Sequence, residues 1–184
     1  MLGKIWKFIW HDDSLLSWIV NVVLAFILVK FIIYPGLGFI FQTSLPVVAV
    51  VSSSMEHNSN LDKFWERQGS WYEENGITKK EFSNFPIKNG FNKGDIIFLY
   101  GSEKLREGDI IVFKGNSQNP IIHRIVKIKE KGYQTKGDNN RDSYDELNET
   151  NINPSNVLGK AFLRIPYLGW VKILFTDALN LFRR

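Results

Sequence analysis

The chain has 184 residues, a formal net charge of +4, 14% aromatic residues and no cysteine. That length suits one domain plus an anchor. The missing cysteines exclude a disulfide framework and any thiolate zinc site. The small charge excess, with Lys and Arg interleaved among Asp and Glu, gives no case for nucleic acid as a partner.

Residues 2–10, Leu-Gly-Lys-Ile-Trp-Lys-Phe-Ile-Trp, read as a short amphipathic piece lying at a membrane surface. From Leu15 to Tyr34 the chain is apolar except for Ser17, Asn21 and Lys30. About 20 such residues cross a bilayer as a helix, so this segment is a transmembrane candidate. A cleaved leader would have a shorter apolar region, about 7–15 residues, and a small-residue cleavage site after it. Pro35-Gly36 is expected to end the helix. Lys4 and Lys7 precede the span, which puts the N-terminus on the cytoplasmic side and the rest of the chain outside.

Leu45-Pro46-Val47-Val48-Ala49-Val50-Val51 is β-branched and apolar, a buried strand candidate that delivers the serines after it. Residues 57–92 change character. Ser59-Asn60-Leu61-Asp62 and Thr78-Lys79-Lys80-Glu81 both look like helix starts, the second with the pattern of a capping box. Trp65, Trp71, Tyr72, Phe82, Phe85 and Phe91 concentrate here, so a small helical insert packed by aromatics is expected. Its bland role is a stabilising lid; the alternative is membrane or substrate contact.

A local repeat follows. Lys93-Gly94-Asp95-Ile96-Ile97-Phe98-Leu99 recurs as Glu107-Gly108-Asp109-Ile110-Ile111-Val112-Phe113, each a Gly-Asp turn feeding a hydrophobic strand. Pro120 to Ile128 and Tyr133 to Lys136 supply two more strands around a turn at Lys131-Gly132. From Ala161 to Phe182 the chain is apolar again, interrupted by Lys172 and Asp177. Two charges at mid-depth would each cost about 2.5–3.5 kcal/mol, which favours a segment resting on the membrane over a second span. The fold class expected is mostly β. A small, irregular antiparallel domain over 37–160 carries a helical insert at about 57–92. The amphipathic piece and transmembrane helix precede it over 1–36, and an apolar membrane-associated segment follows over 161–184.

Three motifs carry chemistry: Val50-Val51-Ser52-Ser53-Ser54-Met55-Glu56, Ile121-Ile122-His123-Arg124 and Lys136-Gly137-Asp138-Asn139-Asn140. Serine is a weak nucleophile that needs a neighbouring base, and the base benefits from an orienting group. A serine triplet alone is only a polar turn, and a lone strand histidine is usually structural. Imidazole, however, titrates near neutrality and can serve as a base without special tuning. Arg124 should face away from His123, since side chains alternate along a strand.

In this order the motifs resemble type I signal peptidase, specifically the archaeal and endoplasmic-reticulum branch, where a histidine replaces the lysine of bacterial enzymes. The resemblance covers most of the chain beyond the anchor. It implies Ser54 as nucleophile, Ser52 as a hydroxyl supporting the oxyanion, and His123 as general base. For the acid it ranks Asp145 first, by spacing beyond Gly-Asp, then Asp138, then Asp142; Asp138 would otherwise hold a tight turn. Ser53 stands where the family has glycine, so a positive φ there would cost strain. The resemblance further implies a membrane-bound serine endopeptidase that removes signal peptides from preproteins by cutting after small residues. Its site would lie on the outer face of the cell membrane, or in the endoplasmic reticulum of a eukaryote. The implied partners are signal-peptide-bearing preproteins, the lipid bilayer and the translocation machinery, with no cofactor and no metal.

Three alternatives stand beside it. One is a non-catalytic membrane subunit that binds a partner through the same fold. Another is a Ser/Lys protease using Lys127 or Lys129. The third is zinc hydrolysis through His57, His123 and an aspartate, although no His-Glu-x-x-His is present.

Overall fold

The computed structural model describes residues 2–58, 60–171 and 173–174. The chain divides into two compact units, Met1–Ile40 and Phe41–Arg184.

The first unit opens with α1 (Leu2–His11), followed by α2 (Leu15–Leu28). Ser14 caps α2, its side chain accepting from the Ser17 backbone amide. The helix does not end at Pro35-Gly36 as expected. A π-helical turn, Val29–Ile33, leads into α3 (Tyr34–Phe41), so Leu15–Phe41 forms one apolar helix of 27 residues. The reason lies in the wide turn. Proline lacks an amide and its ring collides with the carbonyl four residues back. Here the preceding Tyr34 amide reaches Val29 O, five residues back, and the opened turn accommodates the ring. Leu15–Phe41 is the one helix among the described residues long and apolar enough to cross a membrane. Its side chains, such as Phe26 and Phe31, are exposed rather than packed in a core.

The second unit is built on a six-stranded, wholly antiparallel sheet in the order β1-β2-β6-β3-β4-β5. The strands are β1 (Val47–Ala49), β2 (Ile96–Tyr100), β3 (Ile110–Phe113), β4 (Ile121–Lys129), β5 (Gly132–Lys136) and β6 (Val157–Ile165). The mostly β architecture expected from the sequence is therefore present, together with its insert of α4 (Leu61–Glu74) and α5 (Lys79–Phe82). Asn60 caps α4, and Thr78 with Glu81 forms the full capping box of α5. Ser59, read as part of the first helix start, lies outside the described residues.

The sequence repeat is also a structural one. Gly94 and Gly108 sit at φ 90° and 88°, where residues with a Cβ are strained. Each following aspartate accepts from the backbone amide three residues back: Asp95 from Asn92 at 2.8 Å, Asp109 from Arg106 at 2.9 Å. The two strands so launched, β2 and β3, flank β6. Each meets a bulge on it at the equivalent step, Phe98/Leu99 and Val112/Phe113.

Residues 161–165, read as the start of an apolar tail, are therefore strand. Their apolar character serves the sheet: Ala161 is buried and Leu163 pairs with Phe98. Lys172 and 175–184, including Asp177, lie outside the described residues.

Packing follows strand alternation. Ile97, Leu99, Ile110, Val112 and Ala161 enclose one core with Val50, Met55 and Phe91, while Ile111, Phe113 and Ile125 form another with Ile152. Thus β3 is buried on both faces, as its unbroken Ile-Ile-Val-Phe run requires. The insert makes a third core from Phe64, Tyr72, Ile77 and Phe82, closed by Val126 of β4. Its aromatics pack inward, the stabilising role, rather than forming an exposed contact face.

Candidate active site

Two loops meet at the site. The first leaves β1 and carries Ser52-Ser53-Ser54 between two buried anchors, Val50 and Met55. Three exposed or half-buried serines between two core residues form a short arch. Ser53 is not among the positive-φ residues, so the anticipated strain at that position does not arise. The second loop leaves β5 as Gly137-Asp138-Asn139-Asn140 and grips the arch. The Asn139 amide donates to Ser54 O at 2.7 Å, its side chain donates to Ser53 O at 3.2 Å, and the Asp138 amide points at Met55 Sδ, 3.3 Å away.

β4 presents the histidine. Antiparallel register sets His123 opposite Ile111 and Arg124 opposite Ile110. The His123 Nε2 lies 2.9 Å from Ser54 Oγ, and Ser52 Oγ lies 3.2 Å from the same oxygen. Ser54 and His123 are thus brought together as nucleophile and base require.

The carboxylate that meets His123 is none of the three aspartates ranked from the sequence. Neither Asp145 nor Asp138 is hydrogen-bonded to His123; its Nδ1 is bonded to the Glu149 carboxylate through Oε1. Glu149 is fully buried, and its other oxygen accepts from the Tyr144 amide at 2.9 Å. The Glu149 backbone carbonyl also accepts from Thr135 of β5 at 2.8 Å, so the sheet fixes it. Asp145, favoured by spacing, is exposed on a 3-10 turn (Asp145–Leu147) and accepts from the Thr150 hydroxyl. Asp142 is exposed as well and accepts from Trp71 Nε1 at 2.9 Å. The turn ends on Asn148 at φ 60°, which redirects the chain and turns Glu149 inward. No local motif marks that glutamate; only the left-handed Asn148 hints at the reversal.

Asp138 lies behind the arch in a buried charge network. It accepts from Arg124 Nε at 2.9 Å, Arg124 Nη2 at 2.7 Å and Tyr72 Oη at 2.9 Å. His57 Nε2 lies 2.9 Å from its Oδ2, and the His57 ring stacks on Phe64 with centroids 3.7 Å apart. Burial pushes the Asp138 carboxyl up. The Arg124 guanidinium and the His57 and Arg124 hydrogen bonds outweigh that and hold it well below the usual carboxylate range. Arg124 does face away from His123, and the remaining guanidinium donors go to Pro86, Ile87 and Gly108 carbonyls. The two imidazoles engage different carboxylates, His57 with Asp138 and His123 with Glu149.

Lysine chemistry finds less support. Lys127 and Lys129 are exposed at the far end of β4, and Lys129 Nζ is bound to Thr150 O at 2.6 Å. Lys136 is buried, which pushes its ammonium down to about 8. It donates to Gly137 O and Asp138 O, both at 3.2 Å, and so braces the second loop.

Gly137 is required by close approach. A Cβ there would lie 2.8 Å from His123 Nε2 and 2.7 Å from Asn140 Nδ2. Gly137→Ala should therefore displace the imidazole. A misplacement of about 1 Å costs on the order of 10²-fold in rate. If the serine and histidine act as nucleophile and base, steady-state kinetics on a model preprotein should show that loss in kcat, and a rate within a factor of three of wild type would contradict the displacement.

No protein-family model matches the chain. It is 35% identical over 103 residues to the signal peptidase complex catalytic subunit SEC11C of Homo sapiens, covering 50% of this chain and 53% of the relative. The same protein of Mus musculus matches to the same extent. The signal peptidase complex catalytic subunit SEC11 of Colletotrichum graminicola is 27% identical over 158 residues, covering 80% of this chain and 73% of the relative. The chain thus spans about half the length of the mammalian relatives and more of the fungal one. Its homologues are catalytic subunits of signal peptidase complexes, the branch that the serine and histidine motifs resemble.

Proposed function

We propose that the chain is a membrane-anchored serine endopeptidase that removes signal peptides from exported preproteins, cutting after small residues. The observation that carries this reading is the 2.9 Å contact of Ser54 Oγ with His123 Nε2, with Glu149 on the other ring nitrogen. The names of the homologues point the same way.

In this reading Ser54 Oγ attacks the scissile carbonyl while His123 Nε2 takes its proton. Glu149 accepts from Nδ1–H, selects the tautomer with a free Nε2 lone pair, and stabilises the imidazolium without taking its proton. The Ser52 hydroxyl donates to the oxyanion, a contribution of about 10²–10³ in rate for such a donor. Collapse of the tetrahedral intermediate expels the amine of the mature protein, which receives its proton from His123. Water then attacks the acyl-enzyme by the same route and releases the signal peptide as a carboxylate. An extended substrate that pairs with a strand edge places alternate side chains in pockets on one face. Shallow pockets lined by short-reach apolar groups would admit only small side chains. The Leu15–Phe41 helix tethers the catalytic unit to its membrane, with the site on the outer face of the cell membrane or in the endoplasmic reticulum. Companion subunits or the translocation machinery are the further partners, since the relatives are named as parts of a complex.

Ser54→Ala tests the reading. It removes only the attacking oxygen, so preprotein cleavage in detergent should vanish while the thermal unfolding midpoint stays put. Cleavage that survives in a preparation free of other proteases would overturn it.

A further inference from the structure

Two polar residues of the apolar helix, Ser17 and Asn21, have partners in α1. Ser17 Oγ donates to Phe8 O at 2.6 Å, and Asn21 Nδ2 donates to Ile9 O at 2.9 Å. The last four carbonyls of a helix lack partners within it. Phe8 and Ile9 supply two of those four in α1. Ser17 and Asn21 stand four residues apart, on one face of α2. They therefore fold the end of α1 back against the first turns of α2. Ser17 is fully buried by this contact, while its neighbours Leu16 and Trp18 stay exposed.

The posture has a depth. Asn21 lies six residues past the start of α2, about 9 Å along the axis at a rise of about 1.5 Å per residue. Amphipathic helices that lie in a membrane interface sit about 5–10 Å into the headgroup and acyl boundary. The faces of α1 match such a place. At a helical turn of about 100° per residue, Lys4, Lys7 and His11 share one narrow face. Ile5, Trp6 and Trp10 are exposed away from it, and the two tryptophan rings lie 5.5 Å apart. Tryptophan favours the interface, where its ring is apolar and its N–H is wet.

We infer that α1 is a lipid-binding element for an anionic leaflet, held at interfacial depth by Ser17 and Asn21. Trp6 and Trp10 enter the acyl boundary, and Lys4 and Lys7 meet anionic headgroups. A bilayer is the occupant because α1 is tied to the helix that crosses it, and because α1 itself carries exposed aromatic rings beside a lysine face and no acidic residue, Asp12 and Asp13 lying in the turn after it. The inference rests on α2 spanning a bilayer and is independent of the peptidase chemistry.

The chain has no cysteine, so a single Ile5→Cys spin label reports on α1 in the otherwise intact protein. The label's accessibility to oxygen and to a water-soluble nickel chelate is read in nanodiscs of phosphatidylcholine, with and without phosphatidylglycerol. With phosphatidylglycerol the label should be reached by oxygen and shielded from nickel. Lys4→Gln with Lys7→Gln should weaken that shielding, by about five-fold in partitioning per lysine. Ser17→Ala with Asn21→Leu should release the label to water even with phosphatidylglycerol, at an unchanged unfolding midpoint of the second unit. A label open to nickel in both lipids would overturn the inference. So would unaltered depth in the Ser17/Asn21 variant, or shielding that appears only after an acidic partner protein is added.

Discussion

Glu149→Gln should lower kcat for preprotein cleavage by about four orders of magnitude, the loss that follows when an orienting carboxylate is replaced by its amide. The local geometry explains why glutamine is so damaging here. One Glu149 oxygen accepts from the Tyr144 amide and the other meets His123 Nδ1. A glutamine in the same rotamer keeps its oxygen on the Tyr144 amide, because that donor cannot turn away. Its NH₂ group then faces Nδ1. Two donors cannot share the contact, so the imidazole moves its proton to Nε2, the atom that must accept from Ser54. The loss should fall on kcat, since proton transfer belongs to the transition state rather than to substrate binding. Asp145→Asn should stay within about three-fold of wild type, because its carboxylate serves Thr150. An inactive Asp145→Asn beside an active Glu149→Gln would return the acid to the residue that spacing favoured.

The contrast between these two residues shows what a sequence can carry. Ser54 and His123 were legible because each sits in a short motif whose neighbours have fixed jobs. Met55 anchors the serine arch in the core, and the Ile-Ile-His-Arg run is a strand whose alternation separates His123 from Arg124. Glu149 has no such setting. It reaches the imidazole because a 3-10 turn, a left-handed Asn148 and a backbone bond to Thr135 converge there, a tertiary arrangement without a local pattern. The same distinction holds for the fold. The Gly-Asp turns and the strands they launch follow from local chemistry. That β6 would lie between those two strands does not, since apolar residues such as Ala161 read equally as sheet core or membrane contact. At Pro35 the expected end of the helix does not occur, because the helix absorbs the proline by widening one turn.

The second large effect concerns stability. Asp138→Asn should destabilise the catalytic unit by about 3–5 kcal/mol, the range for breaking a buried ion pair, and lower its melting temperature by roughly 10 °C. Arg124 brings two donors to the carboxylate and Tyr72 a third, and His57 Nε2 sits on the same group at 2.9 Å. A carboxylate has about four lone-pair sites for them. An amide has one oxygen, and its NH₂ turns toward donors, while the Arg124 charge stays buried without the carboxylate it is hydrogen-bonded to. The pH dependence carries a sign. The folded carboxyl titrates well below the unfolded one, which is near 3.9. Between those values the unfolded chain binds more protons, so stability rises with pH there. The Asp138 contribution is complete above about pH 5 and is lost as pH falls toward the folded value. Wild type should therefore lose stability on acidification below about pH 4 more steeply than Asp138→Asn, and the two melting curves should converge. Well below its melting temperature the variant should cleave preprotein far better than Glu149→Gln, because Asp138 touches neither Ser54 Oγ nor the His123 ring. Equal melting temperatures at pH 7, or parallel acid limbs, would show that the buried network contributes little and that Asp138 serves the chemistry instead.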